Sequence, residues 1–219
     1  MLQEEELAGL ALFSGLTAEE KEAIAKISME QSFRKGAVII TEGEKTNALY
    51  VVIEGKAVVV GIDEEGRQIV LNEFGPGEHF GEMSFIDGAP RCADVEISMP
   101  SRLLVVPRDQ FRDIIADNPE ICFNLMKGLN EKLRNATEQI KDLAFRDVYG
   151  RVARFLEKSA RAEGEVRVID ERLTHQDIAF RVGASREMIS RIFKELRFGG
   201  YVEMRDRHIV LMKELPFRW

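Results

Sequence analysis

Cysteine is nearly absent from the chain: Cys92 and Cys122 are the two in 219 residues. They show no metal-ligand spacing, which speaks against a disulfide scaffold and against a thiolate metal site. Histidine is almost as scarce, with His79, His175 and His208 scattered along the sequence. No nucleophile–base pairing and no P-loop pattern occurs, so the usual marks of a hydrolase or nucleotide kinase are missing. No apolar run approaches the roughly 18 residues expected of a membrane span. The first ten residues, MLQEEELAGL, are acidic and lack the positive flank of a signal peptide, so the expected location is cytoplasmic, with no membrane partner. No internal repeat or low-complexity tract is present.

What remains is a composition ordinary for a globular protein, 45% hydrophobic and 32% charged, with enough length for one large domain or two modest ones. The net charge of −7 hides an asymmetry. From Arg151 to Trp219 there are 15 Lys+Arg against 11 Asp+Glu, a net of +4, while the first 150 residues carry 16 against 27, a net of −11. Such a split suggests two domains with different partners, the C-terminal one suited to a polyanion.

Along the chain, Thr17-Ala18-Glu19-Glu20 opens a helical run to Ile27 with a capping box. Between Ser32 and Val106 come short β-branched runs: 37–40, 49–53, 57–60 and 68–71. Gly43, Gly55, Gly61, Gly66 and Gly75 lie in or beside the turns between them. Evenly spaced short strands predict an antiparallel roll or jelly roll. Asn118-Pro119 then starts one long helix. On it Cys122, Met126, Leu129, Leu133, Ala136, Ile140 and Leu143 alternate at spacings of four and three. This heptad stripe is as narrow as a coiled-coil seam and predicts a homodimer interface.

The last segment reads as a helix over 152–162, a strand near 166–169, and two short helices, 174–182 and 185–198, broken by Gly183-Ala184. Gly183 suits a left-handed helix end and Ser185 an N-cap, which together make a helix-turn-helix. Two strands around Asp206-Arg207 form a β-hairpin wing. If Ser185 caps the second helix, Arg186, Glu187, Ser190 and Arg191 share its solvent-facing side and Ile189, Ile192 and Leu196 its buried side. Arg suits bidentate bonding to guanine, and Glu can accept from the cytosine amine in the major groove. A bland surface helix would offer the same residues. The glycine turn, the wing and the basic excess together favour double-stranded DNA.

Leu173-Thr174-His175-Gln176-Asp177-Ile178-Ala179, Val182-Gly183-Ala184-Ser185-Arg186-Glu187 and Arg191 closely resemble the winged helix-turn-helix of the cAMP receptor protein/FNR (CRP/FNR) superfamily of bacterial transcription regulators. The hinge Leu143-Ala144-Phe145-Arg146-Asp147-Val148 resembles that family too, as do Lys35-Gly36, Glu42-Gly43-Glu44 and Leu49-Tyr50. The resemblance spans nearly the whole chain and lies nearer the CRP branch. It implies an α+β protein: a β-roll sensor domain over 1–116, a dimerisation helix over 117–144 and a winged helix-turn-helix over 145–219. It also implies a homodimer that reads an inverted repeat with TGTGA-like half-sites through Ser185, Arg186, Glu187, Ser190, Arg191 and Lys194, and that meets RNA polymerase.

The Gly- and Pro-rich stretch Phe80–Glu96, too broken for a helix of any length, resembles the family's phosphate-binding cassette. The resemblance implies that Gly81 brings its backbone amide to a cyclic nucleotide, Glu82 bonds the ribose and Arg91 pairs with the phosphate. The bland alternative is an internal Glu82–Arg91 salt bridge. Two departures concern base recognition. Cys92 stands where cyclic-AMP binders carry Ser or Thr, and a thiol donates weakly. Ala136 and Thr137 occupy the places of the adenine-contacting Thr-Ser pair, and Ala136 cannot hydrogen-bond a base. Cyclic AMP is the first expectation, with cyclic GMP, cyclic di-GMP or no nucleotide as alternatives.

An iron–sulfur sensor is excluded because no cysteine precedes Cys92. Haem is not expected: His79 is the lone histidine in the roll, and in a Gly-rich turn it reads as a surface residue. His79 and Glu82 share the roll, but a cupin-like metal enzyme would need several convergent His and carboxylate ligands, and His175 and His208 lie in the DNA-binding segment. The expectation is therefore a regulator and not an enzyme, with no metal. A nucleotide module acting only on protein partners would not need the Arg186–Glu187–Arg191 head.

Overall fold

The computed structural model describes Leu7 and residues 9–216, without the side chains of Asp113 and Asp117. The outermost ends of the first and last expected segments lie outside the described residues. Contacts divide the chain into two compact units: one runs to Gly61 and includes Leu71–Asn135, and the other joins Ile62–Val70 to the chain from Ala136 onward.

The first unit opens with a 3-10 turn, Ala11–Phe13, and helix α1, Ala18–Ile27. The Thr17 hydroxyl accepts from the Glu20 amide at 3.3 Å, and the Glu20 carboxylate accepts from the Thr17 amide at 2.7 Å. This is the expected reciprocal cap, which satisfies two otherwise orphaned donors. Strands β1 (Met29–Phe33), β2 (Val38–Ile40), β3 (Ala48–Ile62), β4 (Gln68–Phe74), β5 (His79–Phe80) and β6 (Asp94–Pro107) form one sheet. The order is β1-β6-β3-β4, with β2 also on β6 and β5 on β3.

The runs at 49–53 and 57–60 are not two strands. They belong to β3, a single strand of 15 residues. Gly55 interrupts it at φ +93°, where an added Cβ would collide with Ser101 Oγ. The register against β6 shifts there, so this glycine marks a bulge where β6 approaches closely, rather than a turn.

Alternation along the strands supplies two cores. Leu49 and Val51 join Leu104, Val106, Phe13, Phe85 and Phe111 on one side, while Val52 and Ala57 join Leu103, Phe74 and Phe80 on the other. Each fully buried Leu or Phe contributes about 1.5–3 kcal/mol. Three helices complete this part of the chain: α2 (Glu82–Asp87), α3 (Arg108–Asp117) and α4 (Pro119–Phe145). The stretch read as unable to form a helix therefore contains α2, a helix of 6 residues between two left-handed glycines, Gly81 and Gly88. On α4, Ile121 and Leu125 are buried in the core, whereas the stripe residues Met126, Leu133, Ile140 and Leu143 are exposed.

The second unit contains α5 (Val148–Ser159), α6 (His175–Val182) and α7 (Arg186–Phe198) on a sheet in the order β7 (Arg161–Glu163), β8 (Val166–Ile169), β10 (His208–Leu211), β9 (Val202–Arg205). Asp147 caps α5 by accepting from the Gly150 amide at 2.8 Å, so the helix starts before the expected Val152. It also stops sooner: Arg161–Glu163 is strand β7, paired with β8 (Val166–Ile169). The wing is β9 (Val202–Arg205) and β10 (His208–Leu211). Asp206 and Arg207 between them both have positive φ, 49° and 67°, as a two-residue type I′ hairpin turn requires. Val152, Leu156, Ile178, Ile189 and Leu196 form the centre of this unit.

Candidate effector cassette and DNA-reading face

Gly81 ends β5 in the left-handed region at φ +84°. A Cβ there would lie 2.7 Å from Arg91 Nη1 and 3.1 Å from the Ala48 carbonyl, so only glycine fits the approach. Glu82 follows as the first residue of α2 and is 2% exposed. Its carboxylate does not pair with Arg91. It meets Nζ of Lys132 from α4 at 2.8 Å. The same ammonium donates to the His79 carbonyl at 2.8 Å and sits 4.9 Å from the centre of the Phe74 ring. Phe74, Phe80 and Tyr50 stack behind it, with centroids 5.4 and 5.1 Å apart.

Arg91 is 4% exposed, and its guanidinium is taken up inside the unit. Nε donates to Thr46 Oγ1, Nη1 to the Gly81 carbonyl and Nη2 to the Ala48 carbonyl, each at 2.7 Å. Its backbone is held as well, its amide donating to the Glu44 carbonyl at 2.9 Å and its carbonyl accepting from the Gly43 amide at 2.8 Å. Burial lowers the Arg91 pKa, opposed by the charges of Tyr50, Glu82 and Cys92. Burial also raises the Tyr50 phenol, and Arg91 pulls the other way.

Lys132 belongs to none of the sequence motifs that mark the cassette. Its signal was position: it lies one helical turn before Ala136, on the helix face expected to meet a ligand. Cys92 is exposed, with its sulfur 3.8 Å from that of Met83. Ala136 and Thr137 are exposed on α4 and belong to the second compact unit.

His79 is buried, contrary to its reading as a surface residue. Its ring packs so closely on α4 that a Cβ at Gly128 would lie 2.7 Å from Cε1. Nε2 is buried without a hydrogen-bond partner among the described residues. Desolvation, then the neighbouring Lys132 charge, lowers its pKa to about 4, with Glu82 opposing. Among the described residues, no group of three or more His, Cys, Asp and Glu side chains could hold a metal ion.

In the second unit Thr174 caps α6, its hydroxyl accepting from the Asp177 amide at 3.2 Å. Gly183 ends that helix at φ +61°, and the Ser185 hydroxyl accepts from the Met188 amide at 3.2 Å to start α7. Arg151 of α5 braces the turn, donating to the carbonyls of Val182 at 2.8 Å, Gly183 at 3.2 Å and Arg146 at 3.0 Å. Ser185, Arg186, Glu187, Arg191 and Lys194 are exposed, opposite the buried Ile189, Ile192, Phe193 and Leu196. Ser190 is half-buried and turns toward α6, where its Oγ lies 2.8 Å from Nδ1 of His175.

Comparison with known proteins assigns each unit a counterpart. The cyclic nucleotide-binding domain family matches residues 30–118, and the Crp-like helix-turn-helix domain family matches residues 150–215. A protein of Mycobacterium tuberculosis named a CRP-like cAMP-activated global transcriptional regulator is 32% identical over 95% of both chains. A cAMP-activated global transcriptional regulator, CRP, of Haemophilus influenzae is 33% identical over 80% of both. Among solved structures, the cyclic di-GMP-responsive global regulator CLP of Xanthomonas campestris superposes with a TM-score of 0.80. It is 25% identical, with 90% of this chain and 100% of that one covered.

Proposed function

The chain belongs to the CRP/FNR family of transcription regulators, and from that premise we propose that it is a homodimer whose DNA binding is set by an effector at the Gly81–Cys92 cassette. It is a regulator and not an enzyme, since the matched families and relatives are transcription regulators. The observation that carries the effector reading is the Glu82–Lys132 pair. It joins the cassette to the helix that bears the exposed apolar stripe, so a ligand that competes for Glu82 also acts on α4. Such a ligand shifts the regulator only by the difference in its affinity for the two states.

In this reading Gly81, Glu82, Arg91 and Cys92 hold phosphate and ribose, and Ala136 and Thr137 lie toward the base. Met126, Leu133, Ile140 and Leu143 face a second copy. Ser185, Arg186, Glu187, Ser190, Arg191 and Lys194 meet duplex DNA, and RNA polymerase is contacted at the promoter in the cytoplasm. Cyclic AMP is the first effector to test, supported by the names of the mycobacterial and Haemophilus relatives. Cyclic di-GMP is the second, supported by the Xanthomonas neighbour.

A ligand-independent regulator is also supported by a specific observation. Every guanidinium nitrogen of Arg91 already has an internal acceptor, and Glu82 already has a cation. Calorimetric titration with cyclic AMP, cyclic GMP and cyclic di-GMP, paired with a gel-shift on selected duplexes, separates the readings. Heat with one nucleotide and tighter DNA binding in its presence supports effector control. Sequence-specific binding with no heat from any of the three supports the ligand-independent form. Absence of sequence-specific binding under every condition overturns the regulator's DNA-reading assignment.

A further inference from the structure

One polar side-chain contact joins α7 to α6. Ser190 Oγ lies 2.8 Å from Nδ1 of His175, the first residue of α6. The imidazole is seated on Phe193, with ring centroids 4.9 Å apart, so the core of the unit sets its position. Both side chains are half-buried and border one groove together with Thr174, Arg191 and Lys194. We propose that His175 is a positioning residue for base recognition: it accepts the hydroxyl proton of Ser190 and thereby presents the serine oxygen to the major groove as an acceptor only. The proposal rests on the reading of α7 as the helix that enters DNA.

The chemistry follows from the hydroxyl's inventory. Serine has one proton to donate and two lone pairs to accept with, so a serine on a recognition helix meets either kind of base edge and discriminates little. With its proton committed to Nδ1, Ser190 can only accept. Its available partners in the major groove are then the amines of cytosine and adenine. A protonated His175 has a donor at both nitrogens. It reverses the bond and releases the serine proton toward the oxygen of guanine or thymine.

The surroundings keep the ring uncharged at neutral pH, the state in which Nδ1 can accept. Burial, followed by the charges of Arg186 and Arg197 on α7, holds the His175 pKa below 6.5. On its own helix the nearest carboxylate, Asp177, is engaged in the Thr174 cap. Lys194 and Glu195 border the same groove, and β9 and β10 contribute only the apolar Met204 and Ile209.

The test is a binding selection on randomised duplexes with the full chain, at about pH 7 and at about pH 5.5, across the range where histidine titrates. Wild type, Ser190→Ala, His175→Phe and Arg186→Ala are compared. At the higher pH the wild type should prefer adenine or cytosine at one position of each half-site by about fivefold, the equivalent of one net hydrogen bond. Ser190→Ala and His175→Phe should lose that preference at the same position and keep the others. At the lower pH the wild type should move toward guanine or thymine there, and Ser190→Ala should not. A His175→Phe selection identical to wild type, or a pH shift that persists in Ser190→Ala, overturns the role of His175. Arg186→Ala separates this failure from that of the underlying reading. If it changes the preference, α7 remains the reader; if it does not, the assignment of α7 itself is wrong. Should His175→Phe unfold in a thermal melt, Ser190→Ala and the pH series decide, since removing a half-buried hydroxyl leaves the core intact.

Discussion

Lys132 closes over Glu82, with Nζ 2.8 Å from the carboxylate of that buried side chain, and its own side chain is 22% exposed. The ammonium neutralises the one carboxylate of the cassette that burial would otherwise penalise, and it ties α2 to α4. Lys132→Ala leaves that carboxylate buried and unpaired. Breaking a buried pair from one side costs about 3 kcal/mol or more, whereas replacing both partners by uncharged groups costs far less. Denaturant unfolding should therefore show Lys132→Ala strongly destabilised and Glu82→Gln/Lys132→Met close to wild type. Equal losses for the single and double variants would show that the pair does not hold the cassette.

Arg91 is expected to matter twice. Its side chain satisfies Thr46 and two backbone carbonyls, and leaving a buried acceptor unmet costs about 1–3 kcal/mol. Arg91→Ala should lower the thermal midpoint in the absence of any nucleotide. It should also remove the calorimetric signal of whichever nucleotide binds the wild type. Retained affinity in this variant would place the effector elsewhere.

The exposed stripe on α4 should be a dimer seam. Leu133 and Ile140 are 66% and 65% exposed in the single chain, unusually so for large apolar side chains on a heptad stripe. Leu133→Asp puts an unpaired carboxylate into that seam and should yield monomers in sedimentation. A clean dimer for this variant would mean that subunits associate through another surface.

Stability should fall as pH is lowered from about 6.5 toward 4, because His79 resists protonation in the fold. Its folded pKa is about 4 against 6.5 in the open chain, so the unfolded state binds more protons across that window. Stability therefore rises with pH there and is full above 6.5. The span corresponds to on the order of 3 kcal/mol. His79→Phe should flatten the dependence of the unfolding free energy on pH. A slope unchanged in that variant would assign the effect to other groups.

On DNA, Arg186→Ala should relax base preference at one position of each half-site, at a cost of about 1–3 kcal/mol. Lys194→Ala should weaken all duplexes alike and reduce the salt dependence, as expected of a phosphate contact. The selected sites should be inverted repeats with half-sites about one helical turn apart. Full wild-type preference in Arg186→Ala would mean that another face of α7 enters the groove.

What the sequence by itself determined is local. The reciprocal cap at Thr17, the left-handed Gly183, the Ser185 cap and the buried side of α7 each depend on residues within one or two helical turns, and each formed as read. The apolar stripe on α4 is likewise a property of spacing along one helix. Only the tertiary structure decided which distant groups meet. Glu82 finds Lys132 rather than Arg91, and Arg91 turns inward to Thr46, Gly81 and Ala48. His79 is buried because Gly128, on another element, lets its ring approach. Gly55 marks a bulge because Ser101 lies against it, and Ser190 turns toward His175 because α6 packs there. Spacing along a chain determines which side of a helix or strand a residue occupies. The partner across the gap depends on how separate elements dock, and desolvation makes that docking select the pairs that satisfy buried charges and carbonyls.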